Sequence, residues 1–166
     1  MGITLFLCQM TREEKFMAEA IKLSELAVEK GEGGPFGCVI VKEDKIIGRG
    51  YNRVLATNDP TAHAEVVAIR DACKNLSSFQ LEGCEVYTSC EPCPMCLGAL
   101  YWARPKIIYY ANTREDASEN GFDDSLIYDE ISKSIDERKI PFRILKLANA
   151  YDAFENWENK IDRTNY

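Results

Sequence analysis

The sequence is short of long apolar runs and of positive charge. Its longest apolar run near the start, residues 3–8, is too short to span a bilayer or to form the core of a secretory signal. Lys and Arg number 20 against 27 Asp and Glu, a net charge of −7. A protein that holds phosphate backbones is usually basic. These shortages predict a soluble, cytoplasmic protein that binds neither membranes nor nucleic acid.

Histidine occurs once, at position 63, and the chain has neither low-complexity linkers nor internal repeats. A length of 166 residues suits one compact domain with a sizeable core. Residues 1–166 are therefore predicted to form a single domain. The seven cysteines are an odd number, and three of them lie between positions 90 and 96. Without a secretory signal, this clustering indicates metal binding rather than a disulfide framework.

Hydrophobic periodicity and turn signals predict helices that alternate with strands. Thr11 and Glu14 match a capping box, and the helix they begin is expected to end near Gly31. The other predicted helices cover residues 62–75, 94–103, 125–134 and 150–160. The predicted strands cover residues 38–41, 46–47, 84–88, 106–111 and 142–147, the first two forming a hairpin. This alternation predicts an α/β fold, a three-layer α/β/α sandwich, with the acidic segment 114–139 as a solvated face.

Two short motifs carry the chemistry: His63-Ala64-Glu65 and Pro92-Cys93-Pro94-Met95-Cys96. Cys93 and Cys96 are three residues apart in a predicted first helical turn, which favours thiolates on one face. His63 and Glu65 can converge only on a point in front of a helix end, because residues two apart in a helix diverge. The motifs predict two facing helix ends that hold one Zn²⁺ through His63, Cys93 and Cys96, with the fourth position left to water.

Glu65 is predicted to be the catalytic residue. A zinc ion lowers the pKa of its water, and a nearby carboxylate that is not a ligand can take the proton from that water. The same carboxyl group can deliver the proton to a ring nitrogen and then to a departing amine. His-x-Glu followed by Pro-Cys-x-x-Cys is the signature of zinc nucleobase deaminases.

Two non-enzymatic alternatives use the same residues. The run Cys-x-x-Cys-x-x-Cys that starts at Cys90 is similar to the opening of an iron–sulfur motif, but the fourth cysteine would fall on Leu100. A structural zinc site made of the three thiols and His63 would close the open position of the metal and leave Glu65 without a role. Cys90 is therefore interpreted as a small buried residue at the end of a strand.

Longer segments resemble the cytidine deaminase superfamily, namely residues 33–37, 58–65 and 88–96. Residues 101–105, residues 121–125 and a final Tyr are similar to the bacterial-type guanine deaminases within it. The resemblance covers nearly everything after the first dozen residues. It implies a mostly five-stranded mixed sheet flanked by helices and a zinc-dependent hydrolysis of guanine to xanthine and ammonia. Guanosine, cytosine and tRNA adenosine are the alternative substrates within the superfamily.

The resemblance also implies a set of contacts to a small purine base. The base would lie against Phe36, His63 and Trp102, with its edges contacting Asn52, Asp124 and Tyr166. Aromatic faces suit a flat base, and an amide side chain both donates and accepts hydrogen bonds. Each residue also has a structural interpretation: the aromatic ones as core, the amide as a turn residue, and the aspartate, like its neighbour Asp123, as a helix cap.

The C-terminal segment carries apolar residues at helical spacing, at Ala150, Phe154, Trp157 and Ile161. The resemblance implies a homodimer that exchanges residues from about 150 to 166 between its subunits. Tyr166 of one chain would then close over the zinc site of the other. Sequence alone predicts that the last four residues are loose.

Overall fold

The computed structural model describes residues 10–165, and the chain divides into two compact units, Met1–Ser125 and Leu126–Tyr166. Each unit has its own secondary structure and is considered separately. Among residues 10–165, no helix is both long enough and apolar enough to cross a membrane.

Helices and strands alternate along the first unit, as predicted. Its elements are α1 (Arg12–Glu29), β1 (Gly37–Lys42), β2 (Lys45–Tyr51), α2 (Val54–Thr57), α3 (Ala64–Leu76), β3 (Glu85–Cys90), α4 (Pro94–Ala103), β4 (Ile107–Asn112) and α5 (Arg114–Glu119). Next come α6 (Ser125–Ser132), which starts at the last residue of the first unit, a 3₁₀ helix (Ile135–Glu137) and α7 (Asp152–Glu158).

The capping box predicted for the first helix is confirmed. The Thr11 hydroxyl accepts a hydrogen bond from the Glu14 amide at 3.2 Å, and the Glu14 carboxylate accepts one from the Thr11 amide at 2.7 Å. These two bonds satisfy amides that a helix start otherwise leaves without partners. The helix ends at Glu29, close to the predicted end at Gly31.

Four strands form one mixed sheet in the order β2-β1-β3-β4. Strand β1 is antiparallel to β2 and β3, whereas β3 and β4 are parallel. Successive residues of β1 point to opposite faces. Cys38 and Ile40 belong to the core cluster that includes residues of α3 and α4, and Val39 and Val41 to the cluster that includes Ala20 of α1. The predicted three-layer arrangement is confirmed.

Gly50 allows α3 to approach the sheet closely. A Cβ atom at this position would lie 2.1 Å from the Ala64 carbonyl oxygen and 2.5 Å from the Ala68 nitrogen. Backbone this close leaves room only for glycine. The contact fixes the first turn of α3 against β2, and His63 and Glu65 flank that turn's first residue.

One expectation from the sequence is wrong. The sheet has four strands rather than five, because residues 142–147 form no strand in the structure. An alternating apolar pattern makes a strand only where a neighbouring strand pairs with its backbone. The last helix is shorter than predicted, from Asp152 to Glu158. No residue of the acidic segment 114–139 is buried, as predicted, and part of it is helical, since a capping box of Thr113 and Asp116 starts α5.

Candidate metal and active site

Two helix N-termini supply the residues of the His-x-Glu and Cys-x-x-Cys motifs. His63 is the N-cap of α3, which starts about two residues later than predicted, and Glu65 lies in the first turn of that helix. A turn precedes this start, in which the Asp59 carboxylate accepts hydrogen bonds from the amide and hydroxyl of Thr61. Pro60 and Thr61 therefore belong to the turn and not to the helix.

Helix α4 begins as the sequence predicts. Cys93 is its N-cap, Pro94 occupies the first helical position, and Cys96 follows in the first turn. Proline is favoured at this position because its missing N–H would have no partner in the helix. Both sulfur atoms consequently lie at the same helix end.

The side chains of His63, Cys93 and Cys96 converge. The His63 Nδ1 atom lies 3.5 Å from the Cys93 sulfur and 3.6 Å from the Cys96 sulfur. The three ligand atoms all lie within 4.8 Å of one another. This spacing and this donor set suit a tetrahedral zinc ion with three protein ligands and one open position.

The electrostatics of the three groups also fit a cation. A hydrogen bond from the Cys96 thiol, assisted by His63, lowers the pKa of Cys93 to about 4. The same hydrogen bond, together with burial, raises the pKa of Cys96. The pKa of His63 is raised, chiefly by its contact with Cys93. One thiolate therefore forms easily, while a second next to it requires a positive charge such as a bound metal ion.

Glu65 is buried beside the candidate metal site. The Thr88 hydroxyl donates a hydrogen bond of 3.2 Å to its carboxylate. Burial raises the pKa of Glu65, while hydrogen bonds from its own backbone N–H and from the Cys96 thiol lower it in part. A carboxyl group whose pKa is raised toward neutrality can both take up and release a proton.

Asn52 and Phe36 are brought together next to the end of β2. The backbone N–H of Asn52 donates a hydrogen bond to the backbone carbonyl of Phe36 at 3.0 Å. The Asn52 side chain is buried, and its Oδ1 atom accepts a hydrogen bond from the Val54 amide at 3.2 Å. Its oxygen is therefore used within the turn, as the structural interpretation expected, while its Nδ2 group is the part suited to donating to a ligand.

The two neighbouring aspartates have different surroundings. The Asp123 carboxylate forms an Asx turn just before α6, since it accepts hydrogen bonds from the Ser125 amide at 2.9 Å and from the Ser125 hydroxyl at 3.0 Å. The pKa of Asp124 is raised, first by burial and then by the negative charge of Cys93. The two aspartates therefore shift in opposite directions, since the hydrogen bonds from Ser125 lower the pKa of Asp123.

The remaining predicted positions differ in their relation to this site. Trp102 is 65% exposed and lies six residues beyond Cys96, about 9 Å further along the axis of α4. Tyr166 lies outside the described residues. Cys90 ends β3 and is buried, with its thiol 3.3 Å from the Thr113 carbonyl oxygen, which agrees with its interpretation as a buried residue at a strand end.

Sequence reasoning missed two residues close to the site. Thr88, which holds the Glu65 carboxylate, is a buried polar residue of β3. The strand also holds Glu85 and Ser89, so no pattern in the sequence singled out Thr88. Phe122 contacts the ring of Phe36 at a centroid distance of 4.9 Å. No periodicity pointed to this contact, because it joins two loops far apart in the sequence.

The fold and the convergent His, Cys, Cys and Glu side chains define a zinc-binding hydrolase of C–N bonds in cyclic amidines. Residues 10–112 match the family model described as the cytidine and deoxycytidylate deaminase zinc-binding region. The chain belongs to this family.

Similar proteins include enzymes for free bases and for tRNA. The chain is 54% identical to the guanine deaminase of Bacillus subtilis over 92% of its own length and 98% of that protein, whose X-ray structure superposes with a TM-score of 0.90. It is 47% identical to the tRNA-specific adenosine deaminase of Aquifex aeolicus over 60% of its own length and 66% of that protein. A guanine deaminase from Nitrosomonas europaea matches with a TM-score of 0.64 and 30% identity, covering 74% of this chain and 75% of that one.

Proposed function

We propose that this chain hydrolyses guanine to xanthine and ammonia. The observation that carries the proposal is the buried Glu65 carboxyl group beside the three convergent ligand atoms of His63, Cys93 and Cys96. This arrangement suits hydrolytic deamination. The choice of guanine is supported by the 54% identity to a guanine deaminase across 92% of the chain. The tRNA-specific relative matches only 60% of it.

His63, Cys93 and Cys96 would hold one zinc ion per chain. The ion would act as a Lewis acid and lower the pKa of a water molecule bound to it toward neutrality. Cys90 is not among the ligands, because its sulfur contacts the Thr113 carbonyl oxygen. The three-ligand arrangement favours a catalytic site over a structural site with four protein ligands.

Glu65 moves the protons. As a carboxylate it takes a proton from the attacking water, and as a carboxylic acid it gives a proton first to a ring nitrogen and then to the departing amine. Its raised pKa favours the protonated intermediate state. The hydrogen bond from Thr88 holds the carboxyl group in one orientation during these transfers.

The base is recognised by groups around the site. Asp124 accepts hydrogen bonds from ring N–H groups of the purine, and Asn52 donates from Nδ2. A carboxylate that accepts from the imidazole N–H favours the free base, because a nucleoside lacks that proton. Phe36 and Trp102 supply aromatic faces, and His63 lies under the ring.

The substrate proposal is tested by ammonia release from guanine, guanosine and cytosine, with inosine formation measured in tRNA. Guanine is expected to be converted well and the other three poorly. Faster release from guanosine than from guanine would contradict the preference for the free base. Inosine in tRNA at a comparable rate would contradict the whole substrate assignment, including the argument from the net charge of −7.

The active form is proposed to be a cytoplasmic homodimer that exchanges residues from about 150 to 166 between chains, with each chain otherwise forming one deaminase domain. The exposure of large aromatic side chains in this segment supports this. Tyr151 is 61% exposed and Phe154 65%, so a single chain leaves them in water. Exchange would bury such side chains and bring Tyr166 over the partner's site.

A further inference from the structure

Phe122 lies in the segment between α5 and α6, directly before the aspartate pair. Its ring meets the Phe36 ring edge to face, with centroids 4.9 Å apart and planes at 88°. This is one of the two geometries that aromatic pairs prefer. Its amide donates a hydrogen bond to the Ala117 carbonyl at 3.0 Å, which attaches the segment to the end of α5. The ring and the backbone of Phe122 thus connect two parts of the first unit.

Gly34 makes room for this contact. A Cβ atom at position 34 would lie 2.9 Å from the Phe122 ring and 3.1 Å from the Phe36 ring. These separations are shorter than ordinary van der Waals contacts, so a methyl group would displace one ring or the other. The absence of a side chain at Gly34 is therefore a requirement of the Phe36–Phe122 pair.

The two residues after Phe122 have different roles. The Asp123 carboxylate accepts two hydrogen bonds from Ser125, which fixes the backbone on one side of Asp124. On the other side, Phe122 is fixed by its ring and its amide. The Asp124 side chain is partly buried between these two anchors.

We propose that Phe122 is a positioning residue that holds the Asp124 carboxylate at the base pocket through its edge-to-face contact with Phe36. The inference rests on the proposed function, in which Asp124 accepts hydrogen bonds from the purine. The ring of Phe122 acts on the substrate through Asp124. The Phe122 contact therefore contributes to how tightly the base is bound rather than to the proton transfers of Glu65.

The first test is Phe122→Ala, with Phe122→Tyr as the conservative variant. Asp124 contacts the base both before and during the reaction, so loss of its position should raise KM and leave kcat nearly unchanged. We expect KM for guanine to rise about tenfold in Phe122→Ala, the upper range for losing an aromatic pair. Phe122→Tyr keeps the ring and should retain the wild-type KM. A merely structural defect would instead lower kcat, through the fraction of folded enzyme, at an unchanged KM.

The second test combines Phe122→Ala with Asp124→Asn. If Phe122 acts through Asp124, the double variant should have the same KM as Asp124→Asn alone. Additive increases in KM would overturn the proposal, as would a KM for Phe122→Ala within about twofold of wild type, which is smaller than the loss of an aromatic pair predicts.

Gly34→Ala provides an independent route to the same effect. The added methyl group should displace the Phe122 ring and raise KM in the wild-type background. In the Phe122→Ala background only the 3.1 Å approach to the Phe36 ring remains, so the same change should have a smaller effect. An equal increase in both backgrounds would contradict a role for the Phe122 ring.

Amide hydrogen exchange separates this inference from the proposed function. The amides of residues 120–124 should exchange faster in Phe122→Ala, but not in Asp124→Asn, because only the first change removes an anchor of the segment. This result does not depend on the substrate. Wild-type protein that releases no ammonia from guanine would overturn the proposed function, whereas unchanged exchange in Phe122→Ala would overturn the positioning role.

Discussion

The two units of the chain differ in how they bury their apolar residues. In the first unit, helices cover both faces of a sheet, and the core includes Ile40, Tyr87 and Leu100, all at 1% exposure or less. No residue between 126 and 165 is buried, although this part holds thirteen of the large apolar side chains that are exposed. Strand pairing within one chain accounts for the buried core of the first unit. The second unit has a pattern of apolar residues, but none of its residues 126–165 is buried.

This contrast implies different tasks for the two units. The candidate metal site lies entirely on elements of the first unit, where packing can hold side chains within the tolerance that catalysis needs. The second unit carries the exposed apolar side chains that the proposed dimer would bury. The variants below test this difference between the two units.

Glu65→Gln should have the largest effect on activity. The amide cannot carry a proton, so turnover of guanine should fall by roughly 10²- to 10⁴-fold, the usual contribution of a general acid–base group. Zinc content should be unchanged because Glu65 is not a ligand. The matched control is Glu137→Gln, an exposed glutamate of the second unit, which should retain full turnover. A Glu65→Gln enzyme with substantial activity would contradict the proton-transfer role.

Leu100→Ala and Leu145→Ala compare the same change in the two units. Leu100 is 1% exposed in the core, and Leu145 is 88% exposed. Truncating a buried leucine costs about 2–5 kcal/mol of unfolding free energy, whereas an exposed one costs about 0.5 kcal/mol or less. Denaturant unfolding measures both. If Leu145→Ala lowers the unfolding free energy as much as Leu100→Ala does at high protein concentration, but not after dilution, the second unit is buried in a dimer.

Removing Asn165 and Tyr166 tests the proposed exchange of the C-terminal segment. The expected result is unchanged zinc content and unfolding, with turnover reduced by roughly tenfold or more because the pocket is no longer closed to bulk water. Analytical ultracentrifugation of the full chain supplies the second measurement. A monomer that retains full activity after the deletion would contradict both the dimer and the lid, and a dimer with unchanged activity would contradict only the lid.

The smallest effect is expected at Glu85, where hydrogen bonds from Tyr87 and Arg12 lower the pKa of the carboxyl group below 4.5. A carboxyl group whose pKa is lower in the folded state stabilises the fold above its unfolded pKa. That contribution is lost as pH falls through the folded value. Glu85→Gln should therefore reduce stability slightly at pH 7 and weaken its dependence on pH below about 4.5.

Glu130→Gln is the comparison for Glu85→Gln in the second unit. Glu130 also has a lowered pKa, chiefly because of Lys133, but its partners are residues within nine positions of it in the chain. Glu85 instead joins β3 to α1. The Glu130 change should leave unfolding of the sheet unit unaltered. Equal acid dependence in the two variants would contradict a specific role for the Arg12–Glu85 contact.

Sequence patterns predicted most of the first unit because local signals and long-range packing agree there. The Thr11 capping box, the Cys93-Pro94 helix start and the alternation along β1 are each visible in a few adjacent residues. The convergence of the two motifs could also be predicted, since a single histidine and a Cys-x-x-Cys at a helix start leave few arrangements.

The failures have a common physical cause. The pattern of residues 142–147 is suited to a strand, yet a strand also needs a backbone partner, which no local pattern can specify. The Phe36–Phe122 contact and the hydrogen bond from Thr88 to Glu65 likewise join residues distant in sequence. The two aspartates could not be told apart from sequence because either can cap a helix. Only the structure shows that the Asp123 carboxylate accepts a hydrogen bond from the Ser125 amide at the start of α6.

The close approach of α3 to the sheet at Gly50 has a consequence for how this protein tolerates mutation. Any side chain there would collide with the carbonyl oxygen of Ala64, which lies between His63 and Glu65 in sequence. A random-substitution screen for activity should therefore find position 50 about as intolerant as the metal ligands, although a glycine has no group for binding substrate or metal. Loss of function at such a position reports a displaced helix, so a mutational map of this enzyme separates chemistry from packing only when zinc content is measured beside activity.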